Sequence, residues 1–252
     1  MPAHKLILAI CFTAFLISAC KKSKNDDSSP AAKYNVKTMD YVDPFKNGYH
    51  YRFVYNSKND VDSIIRTGIG GNILLPVNVQ KFTYTDSSCK ITSVFSDSSS
   101  LGHDTYLAYN PDGAVTKKID LLGTISLGAV FYTYNDKELT TAFYTGAVPI
   151  IYTYEWANGD IEKCLKDSLL LYTYFYDTSK RTLIDFQPFP DDYMQYGKPG
   201  YNTKHLLTQM KQGSDDFYYY YNFDPMGRPM TRTIVRKTKY GTTDTTVYIY
   251  GY

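Results

Sequence analysis

The chain has 252 residues, enough for one large β domain or two small ones, and its formal charge is only +2. Aromatic residues make up 16% of it, 27 of them tyrosine, a composition that suits rings packing on pleated strands. A surface so close to neutral excludes the electrostatic footprint of a nucleic-acid partner.

His4 and Lys5 open a short positive stretch, followed by the apolar run Leu6 to Ile17. That run falls short of the roughly 20 residues a membrane-spanning helix needs, and it suits the core of a signal peptide. It ends in Leu16-Ile17-Ser18-Ala19-Cys20, which resembles the bacterial lipobox: an aliphatic residue, two small ones, then the cysteine. The resemblance implies a lipoprotein signal peptide over residues 1–19, cleavage before Cys20, and lipid on the sulfur and new amino group of Cys20. One unit of the positive charge is Lys5, so the processed chain carries +1.

Residues 20–40 begin Cys20-Lys21-Lys22-Ser23-Lys24-Asn25-Asp26-Asp27, polar and without apolar periodicity. Such a segment buries too little surface to order itself and reads as a flexible tether, holding the folded domain about 25 Å from a bilayer on average. Asp26-Asp27 resembles part of the export signal of some surface lipoproteins. The expected location is the outer membrane, facing either the periplasm or the cell surface.

Residues 41–252 read as a single β domain built from a repeating hairpin. The clearest copy is Ile151-Tyr152-Thr153-Tyr154-Glu155-Trp156-Ala157-Asn158-Gly159-Asp160-Ile161: an alternating aromatic strand, an Asn-Gly turn and a return strand. Related copies begin at Tyr51, Phe82, Tyr106, Tyr132, Tyr172 and Tyr219. The anchors Tyr84, Tyr109, Tyr134, Tyr154 and Tyr174 lie about 20 to 25 residues apart, the length of two short strands and two turns. The fold class is therefore all-β: an antiparallel meander of about 14 strands, forming a strongly curved sheet or a closed porin-like barrel.

Period-two alternation puts Tyr152, Tyr154 and Trp156 on one face and Thr153 and Glu155 on the other; Tyr172 and Tyr174 repeat the arrangement. The simplest role for these five rings is core packing or an inter-strand ladder. A ligand-stacking surface is the competing role, because tyrosine hydroxyls need a partner or water and so suit a boundary better than a dry centre. Two stretches interrupt the rhythm. Gly68-Ile69-Gly70-Gly71-Asn72 reads as a bend, and the Pro- and Gly-rich run between Phe186 and Met210 as an irregular connection in which Asp191 to Tyr196 suits a turn of helix.

Cys11 leaves with the signal peptide, so Cys89 and Cys164 remain in an oxidising compartment. They form either a disulfide, which needs neighbouring hairpins or a closed sheet, or two buried thiols. Neither has metal-ligand or redox-motif spacing, and no cofactor motif occurs.

The hairpins resemble the Tyr-Asp repeats of Rhs-type shells. In order they are closer to secreted lipoproteins of a domain-of-unknown-function family with a porin-like β fold. That resemblance rests on the lipobox, on Asn202 to Met210, and on Tyr219-Tyr220-Tyr221-Asn222-Phe223-Asp224-Pro225-Met226-Gly227-Arg228-Pro229. It implies a curved or closed antiparallel sheet over residues 45 to 252 and brings no catalytic residues.

Beyond the signal peptide the histidines are His50, His103 and His205, none in a nucleophile or metal motif, and the glutamates are Glu138, Glu155 and Glu162. The leading expectation is thus a lipid-anchored, non-catalytic domain that binds a glycan, a lipid or a partner protein, in an oligomeric state the sequence leaves open. A membrane-spanning outer-membrane barrel is the second expectation, because the chain ends on the alternating strand Val247 to Tyr252. An envelope enzyme of unrecognised type is the third.

Overall fold

The computed structural model describes residues 36–69, 77–95, 102–136, 138–181 and 203–252. The signal peptide, Cys20, most of the tether, Gly70 to Asn72 and the expected helical turn at Asp191 to Tyr196 lie outside the described residues.

The first strands are β1 (Thr38–Val42), β2 (Gly48–Tyr55), β3 (Val61–Ile69) and β4 (Asn78–Tyr84). They are followed by β5 (Ser88–Phe95), β6 (His103–Tyr109), β7 (Val115–Leu122) and β8 (Ile125–Asn135). Then come β9 (Glu138–Thr145), β10 (Ile150–Ala157), β11 (Asp160–Lys166) and β12 (Leu169–Arg181). The series ends with β13 (His205–Gln212), β14 (Asp215–Phe223), β15 (Pro229–Lys237) and β16 (Thr243–Gly251). Each strand pairs with its neighbour in sequence, and β1 pairs antiparallel with β16, closing a barrel of 16 strands.

Two sequence expectations change in detail. There are 16 strands rather than about 14, and the barrel begins at Thr38, inside the span read as tether. The reason is β1 itself, five residues without a Tyr-x-Tyr pattern, whose place is set by its partners and not by its own composition. Those partners make room for it. A β-carbon on Gly48 would strike the backbone oxygen of Tyr41, and one on Gly251 would strike the Thr38 hydroxyl.

Register sorts the side chains. Tyr152, Tyr154 and Trp156 on β10 face the lumen with Cys164 and Ile161 on β11, while Glu155 and Lys163 pair on the outer wall. One continuous core runs around the inside, through Phe53, Ile64, Ile91, Leu107, Val115, Leu139, Ile161, Tyr174 and Tyr250. Sixteen-stranded porins leave a water channel, so side chains that fill part of this lumen set it apart.

The core concentrates toward the end of the barrel that carries the Asn/Asp turns, here called the near end. Asn56 Oδ1 accepts the backbone N–H groups of Lys58 and Asp60 at 2.8 and 3.0 Å, and Asn110 Oδ1 accepts that of Ala114 at 2.7 Å. Asp224 Oδ1 does the same for Met226 and Arg228 at 2.9 and 2.8 Å. Asn158 and Gly159 both have positive φ, 56° and 82°, the conformation of a two-residue hairpin turn matched to strand twist.

Five lumenal rings at this end reach back to an earlier part of the chain. Tyr55 Oη donates to the Val36 carbonyl at 2.7 Å, Tyr84 to Val61 at 3.0 Å and Tyr134 to Val115 at 2.6 Å. Trp156 Nε1 donates to Leu139 at 2.7 Å, and Tyr252 Oη to Pro229 at 2.9 Å. The polar tips of these rings therefore find partners inside the barrel, which is how a tyrosine-rich stripe serves as core rather than boundary.

Three substitutions test this layout by thermal unfolding. Tyr134→Phe deletes one hydroxyl bond and is expected to cost about 1 kcal/mol. Tyr154→Ala empties a core position and is expected to cost about 3–5 kcal/mol. Gly48→Ala is expected to lower the melting temperature more than Gly102→Ala, since a β-carbon at Gly102 meets nothing within 4 Å.

Candidate functional site: the far half of the lumen

The five rings singled out from the sequence all face inward, at different depths. Tyr154 and Tyr174 are 5% and 3% exposed and belong to the core, whereas Tyr152, Trp156 and Tyr172 are half-buried and pack against it. Tyr152 and Tyr172 lie toward the other end of the barrel, the far end, where Tyr152 meets Tyr144 edge-on at 5.3 Å between centroids. The lumen wall there turns polar.

One polar group sits on β6 and β7. Thr105 donates to Asp120 Oδ1 at 2.6 Å, Lys118 Nζ lies 3.1 Å from Asp120 Oδ2, and His103 Nε2 lies 3.9 Å from Asp120 Oδ1. Lys118 is buried, so this carboxylate supplies the partner that a desolvated ammonium requires. A second group spans the closing seam. Tyr49, Tyr41 and Tyr248 stand opposite one another on β2, β1 and β16, and Arg232 on β15 continues the row. Sequence reading passed over this second group because its members lie at the two ends of the domain and meet only through closure. The signal was present in two Tyr-x-Tyr pairs, Tyr49-His50-Tyr51 and Tyr248-Ile249-Tyr250.

The three histidines do not converge. His50 Nδ1 pairs with Asp40 at 2.5 Å on the outer wall, and His103 faces the lumen. His205 is buried against Asp160, its ring Nδ1 2.5 Å from Oδ2 and its backbone N–H donating to Oδ1 at 2.8 Å. With Lys204 N–H donating to the Gly159 carbonyl at 2.9 Å, this clasp docks the start of β13 on the β10–β11 turn. The acidic pair Asp215-Asp216 splits: Asp215 binds Arg236 at 2.7 Å, and Asp216 accepts from Gln209 at 3.0 Å. Among the described residues no group of three or more His, Cys, Asp or Glu side chains could hold a metal ion.

Cys89 on β5 and Cys164 on β11 are separate, buried thiols, so the disulfide is not formed. The sheet does close, as a bridge would need, but the two strands are not neighbours in it. Burial pushes the Cys89 thiol up from 9.0 to about 11 and Cys164 up to about 12, which keeps both protonated and unreactive. Tyr55 and Tyr221 are pushed from 10.0 to about 12 by the same cause, and Tyr84, Tyr109 and Tyr174 higher still.

No family model matches the chain, and no curated protein matches it. Among solved structures the chain is similar to a porin-like protein from Bacteroides uniformis, with a TM-score of 0.65 and 15% sequence identity, over 86% of this chain and 96% of that one. The barrel has a porin-like fold. At that identity the likeness concerns fold alone. It bears out the closed all-β barrel.

Raised folded-state pKa values of acids that lose a proton mean that stability is complete below the unfolded pKa and falls as pH rises through the folded one. The melting temperature is therefore expected to hold up to about pH 9 and to fall between pH 9 and about 12, with tyrosinate absorbance appearing together with unfolding. Tyrosinate appearing gradually in the folded protein would show that the rings are wet. Iodoacetamide is expected to leave Cys89 and Cys164 unmodified until the chain is unfolded, as read by peptide mass.

Proposed function

We propose that this protein is a porin-like barrel that works in water at the bacterial envelope, tethered by a lipid on Cys20, and that it binds a ligand at the far end of its lumen without catalysis. The observation that carries this reading is the distribution of charge and rings across the wall. A bilayer-spanning barrel carries a continuous apolar band outside and a polar inside. Here the outer wall holds the ion pairs Lys90–Asp104 at 2.8 Å and Lys163–Glu155 at 2.9 Å, along with exposed Arg52 and Lys81.

Lysines also lie across the outward rings: Lys117 over Phe131 at 5.2 Å, Lys90 over Tyr106 at 5.4 Å and Lys211 over Phe175 at 5.7 Å. An ammonium on a ring keeps its hydration toward solvent, an arrangement suited to water and costly in hydrocarbon. Several strands, among them β4, β6 and β11, are seven residues long, short of the roughly 9–11 that cross a bilayer.

The second reading is a membrane-spanning barrel, favoured by the likeness to a porin-like protein. One fractionation separates the two. The full chain with Cys20→Ser is expected to move from the membrane to the soluble fraction and to stay soluble without detergent. Retention in the membrane until detergent is added would establish the second reading instead.

A further inference from the structure

The seam row holds more than packing. In register it runs Gly68, Tyr49, Tyr41, Tyr248, Arg232, Tyr221 across six consecutive strands. The Tyr41 and Tyr49 rings stack at 6.4 Å with 21° between planes, and Tyr41 meets Tyr248 at 5.3 Å. A guanidinium caps each side: Arg66 lies over Tyr49 at 4.7 Å and Arg232 over Tyr248 at 4.1 Å. From β3 to β15 the array covers four inter-strand steps, roughly 19 Å measured along the wall.

Three properties distinguish this array from the core. Tyr41, Tyr49, Tyr248 and Arg66 are half-buried, so the wall stays partly accessible from the lumen. Arg66 has no carboxylate partner among the described residues; its guanidinium hydrogen-bonds the Tyr51 hydroxyl, and its Nε makes no hydrogen bond. Gly68, the row's outermost member on β3, adds no side chain beside Tyr49. A half-buried guanidinium whose charge no carboxylate balances suits a ligand that brings one.

We propose that the Arg66–Tyr49–Tyr41–Tyr248–Arg232 wall is a binding site for a carboxylated saccharide, entered from the far end. Ring faces take the C–H faces of sugars, hydroxyls at their edges take sugar hydroxyls, and a guanidinium takes a carboxylate through two parallel hydrogen bonds. Two arginines set apart by three rings match acid groups on separate sugar units of one chain. Two guanidiniums flanking three phenol rings favour an anionic, hydroxyl-bearing chain over an acyl tail. The inference rests on the reading of the barrel as a binding module and names its ligand class.

Calorimetric titration of the full chain with a short oligogalacturonate tests it, with the methyl-esterified oligomer and a sulfated one of equal length as comparisons. The free acid is expected to bind, and esterification to weaken binding at least tenfold. Arg66→Gln and Arg232→Gln are each expected to weaken it about tenfold while Lys81→Gln, on the outer wall, leaves it unchanged, with melting curves confirming that each variant is folded. The absence of binding by the free acid, equal binding of the ester, tighter binding of the sulfated chain, or indifference of folded arginine variants would each overturn the site. Membrane retention of Cys20→Ser sinks the reading of a water-facing module, whereas a failed titration of soluble, folded protein sinks the ligand site alone.

Discussion

The hydrogen bond from the polar tip of a lumenal ring to a backbone carbonyl of an earlier strand at the same end is the interaction on which this barrel depends. Hairpins in a meander are joined by short turns, and a two-stranded unit alone is marginal in water. A donor on Tyr55, Tyr84, Tyr134, Trp156 or Tyr252 ties each unit to the one before it while its ring fills the lumen. One residue type thus supplies apolar area and a directed bond, which explains why tyrosine dominates where a leucine would satisfy packing alone. At Tyr55 the following Asn56 closes the turn from its own side chain, so that Tyr-Asn pair is a joint in two parts.

That joint also divides the lumen. Where rings end in carbonyls, the described residues form a continuous apolar interior that fills part of the lumen. Beyond them the inward positions go to Arg66, Ser93, His103, Thr105 and Asp120, and the wall becomes polar. On the outer surface lysines lie over several of the outward rings. The porin-like likeness therefore concerns the path of the chain, while the distribution of side chains across the wall resembles a folded core turned into a ring.

Much of the architecture was legible because its period is short. Tyr-x-Tyr followed by Asn-Gly or Asp-Gly states strand, face and turn within ten residues, and the recurrence of that unit states the meander. Features set by distant partners were not legible. Strand β1 has no motif and exists because Gly48 and Gly251 leave space on either side of it. Tyr41 and Tyr248 become neighbours only on closure, so a local pattern could pick out Tyr152 and Tyr154 but not the row at the seam. The acceptors of the ring donors were equally hidden, since they depend on register between successive hairpins.

The seam between β1 and β16 has a further meaning for how the molecule comes into being. Thr38 pairs with Gly251, two positions that synthesis separates by nearly the whole length of the domain. Until β16 leaves the ribosome the growing sheet has two naked rims, each an invitation to foreign strands. Assembly of the ring is an all-or-nothing event that waits for its last stave.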